Sequence, residues 1–223
     1  MFKSYGDWHR DQLLCDLCHS NPRERALMHV LISRRPELHK LIVHESSPAE
    51  RSITDQLRKL ALEYIPSQYF QSAEQEIEGF KNINLEAQDF PSNAFDVFIA
   101  LDVMEHVFNP QAAFQEIERT LKPLGIAVMT FPIGKSQINA MNVRATISNF
   151  EVTHHVPSEY HGNPIDPNGS LVTIDYGYDI HKLIAEWTHL DVEIVRFCNN
   201  SIGVVGEYTE VIVLTKTNLL LGQ

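Results

Sequence analysis

The sequence predicts an α/β fold with a mostly parallel sheet, on three observations. Residues 95–101 form a nearly continuous apolar run, which is typical of a strand buried on both faces of a parallel sheet. Apolar runs of this kind alternate along the chain with segments of helical periodicity, as in βαβ units. Two final runs, 192–197 and 208–215, read as paired strands and predict an antiparallel edge.

The chain divides into residues 1–37 and a main domain over residues 38–223. Residues 1–20 read as an irregular lead-in that carries the pair Cys15 and Cys18. Asn21 and Pro22 are typical of a helix start, and Arg23–Ile32 has helical spacing. We interpret the basic clusters Arg23–Arg25 and Arg34–Arg35 as solvated helix residues.

Each element of the main domain follows from its own pattern of apolar residues and turn residues. Predicted strands, or the runs that would hold them, are 38–44, 63–70, a segment within 80–85, 95–101, 126–131, 192–197 and 208–215; predicted helices are 52–62, 110–121 and 179–188. Pro123 and Gly125 mark the end of the second of these helices. Residues 133–178 break the alternation and predict a long irregular insertion beside the sheet edge, of the kind that forms lids or binding loops.

Composition limits the classes of function. With 223 residues, 43% of them hydrophobic, the chain can build one substantial core. A net charge of -11 disfavours a nucleic-acid partner. The polar start lacks a signal peptide and no apolar run would span a bilayer, so we expect a cytoplasmic protein without a membrane partner. Three cysteines argue against a disulfide framework.

Residues 84–132 resemble the class I S-adenosylmethionine-dependent methyltransferases. The matching segments are Phe95-Asp96-Val97, Leu101 to Val107, Glu116 to Pro123 and Ile126 to Pro132, in the order and at the distances of that family. A narrower, type 11-like subgroup is suggested by Arg23 to Leu27, His44 to Pro48, Tyr64 to Phe70 and Tyr160 to Pro164. The resemblance implies a Rossmann-like three-layer sandwich with a mostly parallel seven-stranded sheet and an antiparallel C-terminal strand.

The same resemblance implies S-adenosylmethionine as cofactor and indicates where it would bind. In the first loop, Glu45 stands at the acidic position, and Ser47 and Ala49 stand at glycine positions. Asn84, beside Leu85, stands where a carboxylate meets the adenine amino group, and its side-chain oxygen can accept the same hydrogen bond.

Asp102, beside Val103, would add negative charge near the cationic sulfonium. The alternative for Asp102 is a helix cap or a solvent contact; for Glu45 it is an exposed loop carboxylate.

The candidate catalytic residues are His106 and His161. His106 follows the fourth strand of the family and would orient the acceptor or take its proton, because imidazole titrates near neutral pH. The alternative is a structural histidine bonded to a backbone carbonyl. His155, Tyr160 and Asn163 in the insertion are candidate contacts to the acceptor.

The sequence predicts no metal site, although two groups were weighed. His154, His155, His161 and Glu159 have suitable ligand atoms but follow no metal motif that we recognise. Cys15 and Cys18 have the spacing of a zinc half-site without a second pair.

We therefore expect an enzyme that transfers a methyl group to a small-molecule or glycan-like acceptor. The alternative is a binding or scaffolding protein of the same fold that has lost cofactor use, since fold does not imply function. A dehydrogenase is disfavoured because no Gly-x-Gly-x-x-Gly follows a strand.

Overall fold

The computed structural model describes residues 1–49, 52–70, 74–134, 141–163 and 165–218. Its strands are β1 (Phe2–Ser4), β2 (Leu13–Cys15), β3 (Ile42–Ser46), β4 (Glu63–Gln68), β5 (Glu76–Ile77), β6 (Phe80–Asn82), β7 (Phe95–Leu101), β8 (Leu121–Thr130), β9 (Met141–Val143), β10 (Ala145–Ser148), β11 (Glu151–His154), β12 (Tyr160–His161), β13 (Ser170–Leu171), β14 (Ile174–Tyr176), β15 (Leu190–Val195) and β16 (Val211–Lys216). Its α-helices are α1 (His9–Gln12), α2 (Pro22–Arg34), α3 (Ile53–Leu60), α4 (Pro110–Thr120) and α5 (Ile180–Trp187). Short 3₁₀ turns cover Leu38–Lys40, Met104–His106 and Asn200–Ile202.

An eight-stranded sheet forms the centre of the molecule, in the order β15-β16-β8-β7-β3-β4-β6-β5. The pairs from β8 through β7, β3 and β4 to β6 are parallel, and β16 pairs antiparallel with β8 and with β15. The predicted mostly parallel sheet with an antiparallel C-terminal strand is confirmed. The eighth strand, β5, adds a short antiparallel edge to the seven that were predicted.

Two hydrophobic layers cover the faces of the sheet. On one face, α2 and α3 bury Leu27, Leu31 and Leu57 against Val97 and other side chains of the sheet. On the other face, helices α4 and α5 bury a second cluster, which is built around Phe98, Phe114, Ile117, Ile180 and Ile184. Successive side chains of β7 thus alternate between the two layers, which explains why its sequence is apolar at almost every position.

The first twenty residues are more ordered than the sequence predicted. Strands β1 and β2 pair antiparallel, with Phe2 opposite Cys15, and α1 lies between them in the chain. Arg25 of α2 holds this unit by donating hydrogen bonds to the carbonyl oxygens of Leu13 at 3.0 Å and Gly203 at 2.7 Å. The prediction of an irregular lead-in was wrong because hairpin strands of three residues carry too little periodicity to be seen.

The insertion also contains regular structure. In its described part, β9 pairs with β14, β10 with β11, and β12 with β13, all antiparallel. Residues 135–140 and Pro164 lie outside the described residues. The insertion docks on the turn after β7, where the Thr173 amide donates to the Glu105 carbonyl oxygen at 2.8 Å and the Tyr176 hydroxyl donates to the Met104 carbonyl oxygen at 2.9 Å.

Two further differences concern element bounds. Strand β8 begins at Leu121, directly after α4, instead of at the predicted Ile126. The segment bends at Leu124, whose φ is 64°, and a side chain at Gly125 would meet the Lys122 carbonyl oxygen at 2.8 Å.

No helix in the described part of the chain has both the length and the apolar content needed to cross a bilayer.

Candidate functional site

The carboxyl ends of β3 and β7 lie side by side, because Ser46 pairs with Ala100 in the parallel register. Immediately beyond them, Ser47 has a φ of 53° and Asp102 a φ of 52°. This left-handed conformation favours glycine. Ser47, at a position where the resemblance places glycine, therefore has a backbone conformation that glycine favours, and its amide donates to the Ser67 carbonyl oxygen at 2.8 Å.

Glu45 lies inside β3 and is fully buried, so it is not an exposed loop carboxylate. Both of its carboxylate oxygens lie 3.1 Å from the Thr54 hydroxyl, and Tyr64 donates to Oε2 at 2.7 Å. Thr54 is in α3 and Tyr64 is in β4. Glu45 thus links the strand before the first loop to the helix after it, while its predicted contact with a cofactor stays a prediction.

Asp102 is the centre of an ion-pair cluster with Arg10 and Arg23. Both guanidinium groups donate to its Oδ2, and the Thr130 hydroxyl donates to Oδ1 at 3.1 Å. The Asp102 side chain is only 14% exposed. This arrangement is neither a helix cap nor a solvent contact.

The position of Arg23 corrects its interpretation as a solvated helix residue. Burial, together with the charge of Arg10, lowers the pKa of Arg23 to about 10, so it remains a cation at neutral pH. Its Nε is buried and has no hydrogen-bond partner among the described residues. Arg23 also stands in the first turn of α2, where the helix dipole disfavours a positive charge. That mismatch is the sequence signal that distinguishes Arg23 from an ordinary helix residue; Arg10 offers no comparable signal.

The other predicted cofactor residues surround this edge at different depths. Asn84 is exposed, and its Oδ1 accepts a hydrogen bond from the Glu86 amide at 2.9 Å, which closes a local turn. Leu85 is buried in the hydrophobic layer beneath that turn, and Val103 packs against the same layer. Their contact with a cofactor remains a prediction.

Glu105 and His106 lie in the 3₁₀ turn after β7, and His161 reaches them from β12 of the insertion. Glu105 Oε1 lies 3.5 Å from His161 Nδ1 and 3.9 Å from His106 Nε2. The two imidazole rings stand nearly perpendicular, with centroids 5.3 Å apart. Contact with the Glu105 carboxylate raises the pKa of His161 above its ordinary value, against the opposing effect of burial. The two predicted catalytic histidines, 55 positions apart in sequence, are therefore neighbours.

The predicted acceptor contacts lie in the insertion near this group. Tyr160 is 53% exposed and precedes His161 in β12. Asn163 bonds within its own hairpin, donating to the Ser170 hydroxyl at 2.9 Å and accepting from the Ile165 amide at 3.0 Å. His155 is exposed, with Nε2 3.0 Å from the Thr146 hydroxyl.

Within the described part of the chain, His161 is the one loop histidine that belongs to a group with metal-binding potential. Among the described residues, Glu105, His106 and His161 are the group of three possible ligands, and His154 and His155 are not part of it. Cys15 is half-buried and Cys18 is exposed; both are free thiols.

Comparison with known proteins identifies the fold. Residues 55–129 match the family model described as a methyltransferase domain. A Burkholderia thailandensis 1,6-didemethyltoxoflavin-N1-methyltransferase superposes with a TM-score of 0.55 at 14% identity, covering 88% of this chain and 79% of that chain. A Mesorhizobium loti S-adenosylmethionine-dependent methyltransferase gives 0.57 at 11% identity, covering 85% and 97%. The chain has the class I methyltransferase fold.

A third similar structure is an amino pentose methyltransferase from Micromonospora echinaspora, with a TM-score of 0.57 at 12% identity over 89% of this chain and 92% of that chain. No curated protein matches this methyltransferase-fold chain significantly in sequence. In an open α/β sheet, ligands bind beyond the carboxyl ends of the strands. The edge formed by Ser47, Asp102 and the Glu105–His106–His161 group is therefore the candidate active site.

Proposed function

We propose that the protein transfers a methyl group from S-adenosylmethionine to a small-molecule or glycan-like acceptor. The match to the methyltransferase domain and the shared fold support this proposal. The Burkholderia enzyme was solved with S-adenosylhomocysteine and 1,6-didemethyltoxoflavin, and the Micromonospora enzyme, an amino pentose methyltransferase, with S-adenosylmethionine. The observation that carries the proposal is the Arg10–Arg23–Asp102 cluster at the edge where such ligands bind.

The charges of this cluster fit the amino-acid part of the cofactor. S-adenosylmethionine ends in an α-carboxylate and an α-ammonium group, and the two guanidinium groups beside the carboxylates of Asp102 and Asp11 offer partners for both charges. The unpartnered Nε of Arg23 offers a buried donor, and guanidinium groups bind carboxylates through parallel hydrogen bonds. Arg10 and Arg23 would hold the carboxylate, and Asp102 would hold the ammonium group.

The first loop is compatible with the same ligand. Ser47 has a left-handed backbone, a conformation that glycine adopts readily, so it can occupy the glycine position that the resemblance assigns to it. Glu45 fixes this loop between α3 and β4 through Thr54 and Tyr64. Ser47 and Glu45 would thus shape the cofactor site, with Val103, Asn84 and Leu85 at its borders.

When bound, S-adenosylmethionine supplies an electrophilic methyl group, and transfer yields the methylated acceptor, S-adenosylhomocysteine and a proton. The chain must orient the acceptor and exclude water. His106 and His161 are our candidates for orienting the acceptor and receiving its proton, and His155, Tyr160 and Asn163 for binding it. The net charge of -11 disfavours a nucleic-acid acceptor. A cytoplasmic location stays a prediction.

Calorimetric titration with S-adenosylmethionine tests the proposal. We expect micromolar binding, and at least a tenfold loss of affinity in Arg23→Gln, since a charge-assisted hydrogen bond contributes about 1.5–3 kcal/mol. Arg34→Gln is the matched control, because Arg34 lies on the same helix and pairs with Glu193 at the exposed surface. Both variants are first compared with the wild type by circular dichroism.

Either of two results would overturn the proposal. One is the absence of heat and of thermal stabilisation at millimolar cofactor, which would favour the non-catalytic binding or scaffolding protein. The other is equal affinity in Arg23→Gln and Arg34→Gln, which would remove the cluster from the cofactor site.

A further inference from the structure

Glu105 is a buried carboxylate without a hydrogen-bond partner in the described part of the chain. The residue is 2% exposed, and neither Oε1 nor Oε2 accepts a hydrogen bond there. Burying an unpaired charge is costly, and buried polar groups almost always have a partner. A buried carboxylate that faces two histidine rings at the edge where ligands bind is a candidate ligand for a metal cation.

The two neighbouring histidines have the spacing of metal ligands. Glu105 Oε1 lies 3.5 Å from His161 Nδ1 and 3.9 Å from His106 Nε2. One ligand atom from each of the three side chains lies within 4.8 Å of the others. Donor atoms about 2.1 Å from a tetrahedral metal are about 3.4 Å apart, so small side-chain rotations would complete such a geometry.

Hydrogen bonding leaves the correct nitrogen of His106 free. His106 Nδ1 lies 2.8 Å from the Leu171 carbonyl oxygen, which can only accept, so Nδ1 carries the proton and Nε2 keeps its lone pair in the neutral ring. Metal-binding histidines usually donate their second nitrogen to a carbonyl or carboxylate in this way.

The other nitrogen of His161 faces Glu159 at a longer, ion-pair distance. His161 Nε2 lies 3.6 Å from Glu159 Oε1, and Arg144 holds the other oxygen of Glu159 at 3.0 Å. His161 therefore directs Nε2 towards Glu159 and Nδ1 towards Glu105. Each histidine therefore has one nitrogen near an orienting oxygen, of Leu171 or of Glu159, and its other nitrogen faces the buried carboxylate of Glu105.

We propose that Glu105, His106 and His161 bind one divalent transition-metal ion of the zinc class. Two imidazole nitrogens and one carboxylate oxygen form a ligand set suited to zinc and its neighbours, and three protein ligands leave a position open. The competing explanation is a direct ion pair between Glu105 and a protonated His161, which would leave no vacancy for a metal.

If the protein transfers methyl groups as proposed, the metal site also limits which chemical class of acceptor it would bind. Glu105 is three residues from Asp102, and its charge acts on Arg23 of the same cluster. A metal with an open position beside the cofactor would bind and orient an acceptor oxygen. The acceptor would therefore be a hydroxylated small molecule or sugar. With the metal bound, His106 and His161 would act as its ligands and would not receive the acceptor proton.

Zinc titration of the chelator-treated protein tests the site, with stoichiometry measured by elemental analysis. We expect one zinc per chain and at least a hundredfold weaker binding in Glu105→Gln and in His161→Gln. His155→Gln is the matched control, because His155 lies in the same insertion outside the group and should leave affinity unchanged. All variants are made in a Cys15→Ser, Cys18→Ser, Cys198→Ser background, which removes zinc binding by thiols.

Cobalt substitution gives a second measurement. Cobalt bound by nitrogen and oxygen should give a visible d–d spectrum, which we expect Glu105→Gln to abolish. If His161→Gln does not fold, Glu105→Gln alone tests the site. Zinc binding below a tenth of an equivalent, or equal affinity in Glu105→Gln and His155→Gln, would overturn the metal site in favour of the ion pair. Since zinc binding is measured without S-adenosylmethionine, it stands or fails separately from methyl transfer.

Discussion

At the scale of single residues, β3 shows how neighbouring polar side chains are placed in opposite surroundings. Glu45 faces α3, whereas His44 faces an aromatic group formed by Phe90, Phe95 and Phe98, with ring centroids 4.7 to 5.2 Å away. His44 Nε2 lies 2.8 Å from the Ser67 hydroxyl. Full burial lowers the pKa of His44 to about 3, because the charged imidazolium would lose its hydration.

His44 is expected to make the protein acid-sensitive. Its pKa in the folded state lies below the unfolded value of about 6.5. At pH values between the two, the unfolded state binds more protons than the folded state, so the free energy of unfolding decreases as the pH is lowered. From pH 7 to pH 5, the wild type should lose about 2 kcal/mol of unfolding free energy more than His44→Gln, which cannot ionise. Urea denaturation at both pH values measures this difference.

The exposed His39 provides the control. His39→Gln should lose stability between pH 7 and pH 5 in parallel with the wild type. If His44→Gln also runs parallel to the wild type, burial of His44 does not explain acid sensitivity.

Single residues also mark the limit of sequence-based prediction. Asp102 and His106 were identified as candidates because they directly follow a recognisable strand. Their partners were not predicted, since Arg10 is 92 positions from Asp102 and Leu171 is 65 from His106. Contacts of that kind depend on packing of the N-terminal unit and the insertion, which local periodicity does not encode.

At the scale of elements, helix α2 was predicted correctly because residues close to each other in the sequence form its N-terminal cap. Asn21 Oδ1 accepts from the Glu24 amide at 3.0 Å, and Glu24 Oε2 accepts from the Asn21 amide at 2.8 Å, which forms a capping box. Pro22 at the first helical position adds a preset φ. The β-hairpins of the insertion lack such signals, since strands of two to four residues are too short to show a clear periodic pattern.

Asn21→Ala should lower the unfolding free energy by about 1–2 kcal/mol, because it leaves the buried Glu24 amide without its cap. The matched variant is Asn109→Ala at the start of α4. Asn109 is exposed and accepts one hydrogen bond, from the Ala112 amide at 3.1 Å, without a reciprocal partner. We expect Asn109→Ala to cost less, and denaturant titration measures both.

A cost for Asn21→Ala no greater than that for Asn109→Ala would contradict this account of the capping box. Because Arg23 occupies the first turn of the same helix, loss of the cap should also weaken cofactor binding. The start of α2 thus contributes both to the stability of the fold and to the candidate active site.

At the scale of the whole molecule, the sheet order explains why distant segments meet at one edge. The first parallel strand, β3, lies beside β7, so the loop with Ser47 and the turn with Asp102 are neighbours. The sequence block around β7 and β8 was sufficient to predict this architecture. It was not sufficient to predict the extra strand β5 or how the N-terminal unit brings Arg10 to that edge.

Binding at this edge should stabilise the entire fold against heat. A ligand at one hundred times its dissociation constant adds about 2.7 kcal/mol, and for a chain of this size each kcal/mol raises Tm by about 2–4 °C. Saturating S-adenosylhomocysteine should therefore raise Tm by about 5–10 °C.

Methylthioadenosine is the sharper control, because it keeps the nucleoside and the sulfur but lacks the α-carboxylate and the α-ammonium group. If Arg10, Arg23 and Asp102 hold those two charges, methylthioadenosine at the same concentration should give a clearly smaller shift in scanning calorimetry. Replacing Arg23 by Gln should reduce the shift from S-adenosylhomocysteine and leave that from methylthioadenosine almost unchanged. Equal shifts from the two ligands in the wild type would mean that the nucleoside alone is bound, and that the cluster on Asp102 serves only to fasten the N-terminal unit to the sheet.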